Sequence, residues 1–456
     1  MAKPTVSLPQ GTRDFGPDIV RKRQYIFTTI RTAFELYGFQ PLETPAMENL
    51  ETLMGKYGEE GDKLIFKILN NGLDKKEQLA REEFEKILQG RNTKAITERA
   101  LKYDLTIPFA RYVAMNQGQL SFPFKRYQIQ PVWRADKPQK GRYREFYQCD
   151  ADVVGSTSLL NEVELATLYA EVFNQLGVPV DIKINNRKIL AALAEVCGGP
   201  DKMTAITVAI DKLDKIGLAK VEAELSEKGL DQQQVSIIRQ YLEITGTNRE
   251  KLARVKELLG KTETGEAGIR ELETVLDYFD PSMQAPPLLI DFTLARGLNY
   301  YTGIIFEVKA RNVQMGSVGG GGRYDDLTGL FGVPGIPGVG ISFGVDRIYD
   351  VMDELQLFPA DVQMGSQVLF FNLGEQESKT AFTLLQQLRA GNTRAELYHE
   401  NSKFDKQFKY AEKKNIPYIV IIGTKELAEK TCVVKDLRNG KQISLPLEEL
   451  LNFSFL

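Results

Sequence analysis

Histidine is almost absent from this sequence: His399 is the only one among 456 residues. Multi-histidine metal sites are therefore excluded, and a histidine base or a Ser-His-Asp triad would depend on this one residue near the end of the chain. The sequence favours chemistry carried by arginines, carboxylates, backbone groups and a metal ion such as Mg²⁺.

Cysteine is also scarce. The three cysteines, Cys149, Cys197 and Cys432, are far apart and form no CxxC pair, which argues against a disulfide framework and a cysteine zinc site. The first 16 residues contain no apolar segment, and no later stretch approaches the roughly 18 apolar residues that a membrane span needs. We expect a protein of the reducing cytoplasm with no membrane anchor.

Neither sign of charge dominates the chain. It has 58 basic and 61 acidic residues, a net charge of −3, so no overall positive field favours nucleic acid. Residues 366–456 differ, because they carry 13 basic against 11 acidic residues, a net charge of +2. This small asymmetry favours RNA contact by the C-terminal part of the chain.

The length and the order of the sequence patterns predict two domains. A chain of 456 residues exceeds what one hydrophobic core usually organises. Residues 1–360 mix strand-like and helical segments, and they include long charged helical periods at about 187–280 that indicate a helical insertion. After a linker broken by proline and glycine, residues 366–456 alternate strands with helices, which predicts a small α/β domain with a mostly parallel sheet.

The most informative stretch runs from FKRYQIQPVW (124–133) across the turn ADKPQKG to RYREFYQCDADVVG (142–155). Two strand-like segments joined in this way predict an antiparallel pair. Side chains alternate along a strand, so one face of the second strand would carry Arg142, Arg144, Phe146, Gln148, Asp150 and Asp152. Because that face is polar, it predicts a ligand-binding surface; the alternative is a surface ladder of ion pairs.

This predicted face has a positive and a negative end. Arg134 lies opposite its arginines, and a guanidinium fork suits phosphate or carboxylate, while Phe146 offers a ring on which a base can stack. Asp150 and Asp152 suit an ammonium group or an N–H donor. A zwitterionic amino acid beside a nucleoside triphosphate would satisfy both ends.

Two further segments carry candidate ligand residues. LKYDLT places Asp104 and Thr106 two residues apart, so that they would project together from a strand; a structural turn is the alternative. ARGLNYYTG places Arg296 ahead of Tyr300 and Tyr301 in an apolar stretch. An unpaired buried charge costs roughly several kcal/mol, so a bound anion is a natural partner for this arginine.

The glycine run Gly319–Gly322 permits a ligand to approach the backbone closely. It is not a P-loop, because GxxxxGK[ST] is absent, and it lacks the context of a GxGxxG dinucleotide site. The segment GVGISFGVDRI, a glycine-spaced strand leading into a helix, contributes Arg347 as another arginine near the same predicted site.

These segments together resemble the class II aminoacyl-tRNA synthetases. PLETPAMENLETLMG is similar to motif 1 of that class, the strand pair 124–155 to motif 2 and GVGISFGVDRI to motif 3. LKYDLTIPFARY, and ARGLNYYTG with GGGGRYDDL, resemble two signatures of the histidyl-tRNA synthetase family. The resemblance implies an α+β catalytic domain with a mixed, mostly antiparallel sheet, a helical insertion, a C-terminal α/β anticodon-binding domain, and a homodimer built partly on motif 1.

The resemblance also implies an activity: ATP- and Mg²⁺-dependent activation of L-histidine to histidyl-adenylate, and transfer of the histidyl group to the 3′ end of tRNA(His). Its ATP-binding residues would be Arg134, Arg142, Phe146 and Arg347. Its histidine-binding residues would be Asp104, Thr106, Gln148, Asp152, Arg296, Tyr300 and Tyr301, with Arg296 and Arg134 as the catalytic arginines and no side chain assigned to the metal.

The chain departs from the family pattern at a few positions. Asp104 and Asp152 stand where many bacterial members carry Glu, which resembles a eukaryotic-like branch and shortens each side chain by one methylene. Asn299 replaces an Asp common in that motif, and the four-glycine run is richer in glycine than usual.

Two other functions compete with this interpretation. One is a noncatalytic histidine sensor, the regulatory subunit of ATP phosphoribosyltransferase, which usually lacks the anticodon domain and the phosphate-binding arginines. The other is a class II synthetase for Gly, Thr or Pro, which shares the C-terminal domain type. The arginines and the C-terminal segment argue against the first, and ARGLNYYTG argues against the second.

Overall fold

The structure is a computed structural model that describes residues 6–55, 62–89, 91, 93–279, 286–295, 300–363 and 365–455. The chain divides into two compact units, Met1–Leu357 and Phe358–Leu456. Within the described ranges, no helix is long and apolar enough to cross a membrane.

The strands of the first unit are, in chain order, β1 (Gln40–Pro41), β2 (Met47–Asn49), β3 (Lys67–Ile68), β4 (Arg99–Leu101), β5 (Phe124–Trp133), β6 (Glu145–Val154), β7 (Val180–Asn186), β8 (Leu288–Ile290), β9 (Ile304–Ala310), β10 (Gly319–Tyr324) and β11 (Gly338–Gly344). An eight-stranded sheet has the order β1-β5-β6-β11-β10-β9-β7-β8. Its inner strands pair antiparallel, and β1 and β8 pair in parallel at the two edges. The predicted mixed, mostly antiparallel sheet is confirmed.

The helices of the first unit are α1 (Pro17–Leu36), α2 (Leu50–Leu53), α3 (Glu77–Leu88), α4 (Thr106–Asn116), α5 (Leu160–Gln175), α6 (Arg187–Val196), α7 (Met203–Ile210), α8 (Leu213–Ile216), α9 (Leu218–Glu227), α10 (Gln232–Leu242), α11 (Asn248–Leu259), α12 (Glu263–Tyr278) and α13 (Val345–Glu354). Helices α6 to α12 form the helical region. Capping boxes start α10 at Asp231 and α11 at Thr247, so backbone N–H groups in the first turn of these helices have partners.

One face of the central sheet is covered by helices α1 and α5. The ring of Phe343 in β11 lies 5.8 Å from that of Phe34 in α1, and 4.8 and 5.6 Å from those of Tyr169 and Phe173 in α5. Burial of these large rings stabilises the layer of helices on the sheet. The opposite face of β5, β6 and β11 carries the polar residues, which decides where a ligand can bind.

The second unit contains β12 (Val368–Phe370), α14 (Glu375–Ala390), β13 (Ala395–Leu397), α15 (Phe404–Lys413), β14 (Tyr418–Ile421), α16 (Thr424–Glu429), β15 (Thr431–Asp436) and β16 (Gln442–Pro446). Its sheet has the order β13-β12-β14-β15-β16. Only β13, β12 and β14 pair in parallel, so the prediction of a mostly parallel sheet is wrong. The last two strands form a hairpin and therefore pair antiparallel.

Candidate active site

A cavity of about 300 Å³ opens on the polar face of the central sheet. Its walls come from β6, β10 and β11, from the turn between β5 and β6, and from the start of α13. Six residues singled out in the sequence line it together: Arg134, Arg142, Phe146, Gln148, Tyr301 and Arg347. The volume is within the usual range for small-molecule sites.

Three guanidinium groups converge on this cavity. Arg347 is held by its Nε, which donates to the Gly141 carbonyl at 2.7 Å, and by Nη1, which donates to the Ser317 carbonyl at 2.7 Å. Burial lowers the pKa of Arg347, and the positive charges of Arg142 and Arg134 lower it further. The folded chain thus keeps like charges close together, and a polyanion would relieve their repulsion.

Arg134 and Phe146 form one wall of the cavity. The guanidinium carbon of Arg134 lies 5.1 Å from the centre of the Phe146 ring, and Nε of Arg134 donates to the Tyr103 carbonyl at 2.9 Å. The Nε contact fixes the arginine, so the terminal Nη groups are the ones that can engage a phosphate. The cation beside an aromatic ring suits the negative charge and the flat base of a nucleotide.

Three buried acids lie close to the cavity, although none of them lines it. Asp104 and Asp150 are each 3% exposed and Asp152 is 2% exposed. The fully buried Arg126 pairs with Oδ2 of Asp152 at 2.8 Å, and the Tyr324 hydroxyl donates to Oδ1 of Asp152. Burial raises the pKa of Asp150 to about 7 and raises the pKa of Asp152 as well, while the charge of Arg126 lowers both.

Of the other predicted histidine-binding residues, Gln148 and Tyr301 line the cavity, whereas Thr106 and Tyr300 do not. Tyr301 lines the cavity, and burial raises its pKa, which the charges of Asp152, Asp150 and Asp104 raise further. The Tyr300 ring packs 4.8 Å from that of Tyr301. Arg296 and Asn299 lie outside the described residues.

The predicted cluster of Asp104 and Thr106 has a different basis from the one expected. The segment is a loop that leads into α4, whose first residue is Thr106, so strand alternation does not apply. Asp104 instead lies before the helix and accepts the Ile107 backbone N–H through Oδ1 at 3.4 Å. The strand that this spacing assumed is therefore absent, and the alternative, a structural turn, agrees with the contact that Asp104 makes.

The polar face of β6 is shorter than predicted. β6 begins at Glu145, because Gln139 and Arg142 exchange backbone hydrogen bonds of 3.1 and 2.9 Å and close a tight turn before the strand starts. Alternation along one face therefore holds from Phe146 to Asp152. Arg142 reaches the cavity from the turn rather than from the strand.

Arg144 does not belong to the cavity, contrary to its predicted place on the arginine face. Its Nε donates to the Asp136 carbonyl at 3.2 Å and its Nη1 to the Gln10 carbonyl at 3.3 Å. Its backbone N–H donates to the Gly11 carbonyl at 2.9 Å. Gly11 has φ +85°, a left-handed conformation that glycine adopts readily. Arg144 thus fixes the turn to the N-terminal segment.

Asp346 is a residue that the sequence interpretation missed. Its Oδ1 accepts from Nη2 of Arg13 and, at 2.6 Å, from Nη1 of Arg23. Its Oδ2 accepts the backbone N–H of Tyr147 at 3.0 Å. Asp346 directly precedes Arg347 in the chain, so it joins the N-terminal segment, β6 and α13 beside the cavity. No sequence spacing signals this contact, because its partners are more than 190 residues away.

Arg13→Gln is expected to weaken the binding of inorganic triphosphate to this cavity about 5- to 30-fold, the equivalent of about 1 to 2 kcal/mol. Arg13 holds Asp346, and its guanidinium carbon lies 3.2 Å from the centre of the Tyr143 ring, so its loss loosens the turn that carries Arg142. Calorimetric titration with triphosphate measures the dissociation constant. Arg81→Gln, at an exposed helix pair with Glu77, is the control. Equal dissociation constants in the two variants would contradict a positioning role for Arg13.

Within the described ranges, no three His, Cys, Asp or Glu side chains are grouped so that they could hold a metal ion. The side chains of this part of the chain therefore do not fit a protein-built metal cage. Mg²⁺ commonly binds through substrate phosphates with few protein ligands.

Two family patterns match the sequence. The one described as "Histidyl-tRNA synthetase" matches residues 96–348, and the one described as "Anticodon binding domain" matches residues 367–454. The first covers the polar strands and the helical region, and the second covers most of the second compact unit.

Full-length relatives agree with these matches. The chain is 53% identical to "Histidine--tRNA ligase" of Bacteroides fragilis, over 99% of this chain and 98% of the relative, and 54% identical to the protein of the same name from Christiangramia forsetii, over 97% and 98%. The crystal structure of histidyl-tRNA synthetase from Nostoc sp. PCC 7120 superposes with a TM-score of 0.83 at 32% identity and covers 99% of both chains. With a family pattern over more than half of its length, this chain belongs to the histidyl-tRNA synthetase family.

Proposed function

We propose that this chain is an ATP-dependent histidine–tRNA ligase. It activates L-histidine to histidyl-adenylate, releases pyrophosphate, and transfers the histidyl group to the 3′ end of tRNA(His). The observation that carries this proposal is the convergence of Arg134, Arg142 and Arg347 beside Phe146 in one cavity, next to buried acids, in a member of this family.

In this proposal, ATP occupies the arginine end of the cavity. Arg134, Arg142 and Arg347 hold the phosphates, and Phe146 packs against the adenine. The lowered pKa of Arg347, caused by burial and by its two arginine neighbours, supports an anionic ligand at this end. Mg²⁺ arrives with the triphosphate as part of the substrate.

Histidine occupies the acidic end. Asp104, Thr106 and Gln148 take the α-amino group, and Arg296 contacts the carboxylate and the α-phosphate. Asp152 and Tyr301 are assigned to the imidazole, and Tyr300 is a further histidine-binding residue. The pKa of Tyr301 supports this assignment, because burial raises it and the charges of Asp152, Asp150 and Asp104 raise it further. The assignment of Arg296 rests on the sequence resemblance alone.

The activation step needs no protein base, because the nucleophile is the substrate carboxylate, already ionised near pH 7. The chain aligns this carboxylate with the α-phosphorus and neutralises the charge that develops as pyrophosphate leaves. Arg134 and Arg296 are the catalytic arginines of this proposal. The exposed position of His399 in the second unit is consistent with a mechanism that does not use histidine.

The proposed assembly is a cytoplasmic homodimer built partly on residues 41–55. Residues 1–360 form the catalytic domain, with the helical insertion at about 187–280, and residues 366–456 read the anticodon of the tRNA. Asp104 and Asp152 suggested a eukaryotic-like branch; the relatives reported above are bacterial and lend this branch no support.

Histidine-dependent ATP–pyrophosphate exchange tests the function. We expect exchange with histidine and at least about 10⁴-fold weaker exchange with amino acids whose side chains are apolar, because these would leave buried polar groups unpaired. Exchange that prefers glycine, threonine or proline would instead identify one of the sibling synthetases. Histidine binding without any exchange would identify the noncatalytic sensor.

A further inference from the structure

A buried lysine, Lys102, lies in the loop between β4 and α4. It is 1% exposed and does not line the cavity. Burial lowers its pKa to about 8, and the charges of two nearby glutamates, Glu48 and Glu43, oppose this shift. Because an ammonium group is costly to bury, its contacts decide what it contributes to the protein.

The ammonium group of Lys102 has three acceptors. Its Nζ donates to Oε1 of Gln130 at 2.6 Å, to the Thr44 carbonyl at 3.0 Å and to the Thr44 hydroxyl oxygen at 3.4 Å. An ammonium group has three N–H donors, so these contacts use all of them. The acceptors are neutral, and Nε2 of Gln128 also donates to Gln130 and to the Thr44 hydroxyl oxygen. Lys102 is thus the cation of a polar network that joins residue 44 to β5.

The backbone of Lys102 joins the same two segments. Its N–H donates to the Ala46 carbonyl at 3.0 Å, and its carbonyl accepts the N–H of Trp133, the last residue of β5, at 3.0 Å. Arg134 follows Trp133, and its Nε donates to the carbonyl of Tyr103, the residue after Lys102, at 2.9 Å. Two successive carbonyls therefore hold Arg134: one fixes the backbone just before it, and the other fixes its side chain.

We propose that Lys102 is a positioning residue for the activation step. Its ammonium group fixes residues 102–103 against residue 44 and β5, so that the two carbonyls keep the terminal Nη groups of Arg134 directed at the reacting phosphate. This inference rests on the proposed function, in which Arg134 is a catalytic arginine. Methionine would fill a similar space without the cost of burying a charge, so the ammonium group supplies a defined geometry rather than stability.

Lys102→Met tests this role through single-turnover formation of histidyl-adenylate. We expect the rate constant to fall about 10- to 100-fold, because a displacement of about 1 Å at a reacting group can cost about 10²-fold. The KM for ATP should stay within about threefold, since Arg347 keeps its own contacts. Lys125→Met is the matched control: this lysine of β5 bonds the Tyr37 carbonyl and Glu164, and its loss should keep the wild-type rate. Gln130→Met removes the acceptor at 2.6 Å and should show the same fall in rate if Lys102→Met unfolds.

A double-mutant cycle separates positioning from a general structural role. If Lys102 acts through Arg134, the protein that carries both Lys102→Met and Arg134→Ala should react within about threefold of the rate of Arg134→Ala alone. A general loosening of the fold would instead multiply the two losses and raise the KM for ATP. Multiplied losses, a Lys102→Met rate within about threefold of wild type, or an equal fall in Lys125→Met would overturn the proposal. Absence of histidine-dependent exchange in the wild-type protein would instead refute the proposed function.

Discussion

Arg134→Ala is expected to lower the rate of adenylate formation about 10²- to 10³-fold, the loss that follows removal of one preorganised donor from a developing charge, about 3 to 4 kcal/mol. Nε of Arg134 is held by the Tyr103 carbonyl at 2.9 Å, so the side chain is in position before ATP binds. Because this interaction strengthens in the transition state, the loss should appear mainly in kcat. Single-turnover formation of histidyl-adenylate measures it.

Two companion variants sharpen this prediction. Arg134→Lys keeps the charge but loses the fork, so we expect only partial recovery of the rate. Arg239→Ala, at an ion pair with Glu222 in the helical region, controls for the loss of an arginine elsewhere and should keep the wild-type rate. An Arg134→Ala protein within about threefold of wild-type kcat would show that the residue does not act on the reacting phosphate.

We expect Arg134→Ala to lower the activity without a matching loss in the free energy of unfolding. Burial lowers the pKa of Arg347, and repulsion from Arg142 and Arg134 lowers it further, so the folded chain holds these charges together at a cost. Removing one charge relieves this repulsion, which opposes the small loss from the Phe146 contact. A site arranged for a polyanion thus trades stability for binding, as is common where function needs like charges close together.

The sequence predicted the floor of the site because strand alternation is a local rule. Phe146, Gln148 and Asp152 lie within one strand, so their common face follows from a period of two. The antiparallel pairing of β5 with β6 followed from two strand-like segments joined by a single loop. Arg347 was assigned to ATP binding through the resemblance to motif 3, and in the structure it lines the same cavity.

The site residues that the sequence placed wrongly or did not reveal share a physical cause. Each depends on contacts between distant segments or on where a strand starts. Arg144 follows a tight turn that ends before β6, and two of its partners, Gln10 and Gly11, come from the N-terminal segment. Asp346 has partners on α1, β6 and residue 13, and no local period encodes those.

Arg126→Met is expected to lower the free energy of unfolding by about 3 to 5 kcal/mol near pH 8, since removing one partner of a buried ion pair leaves the other charge uncompensated. Arg126 is fully buried, pairs with Asp152 at 2.8 Å, and lies 4.2 Å above the Phe109 ring. Methionine fills a similar space without the charge. Urea unfolding, followed by tryptophan fluorescence and circular dichroism, measures the loss.

The pH dependence of this loss has a definite sign. Burial raises the pKa of Asp150 to about 7 and raises that of Asp152, so the folded chain binds more protons than the unfolded one between about pH 4 and pH 7. The stability that comes from the protonated acids is complete below about pH 4 and is lost as the pH rises through about 7. Without the charge of Arg126, burial of the ionised carboxylates costs more, whereas burial of the protonated ones does not. The destabilisation should therefore be smaller at pH 5 than at pH 8.

The matched control is Arg311→Met, which removes a partly exposed ion pair with Asp181 and should cost less than about 1 kcal/mol at either pH. If Arg126→Met matched this control, or if its loss were larger at pH 5, Arg126 would not be the charge that balances the two acids. The loss at pH 8 therefore tests the electrostatic basis of the acidic end of the site independently of catalysis.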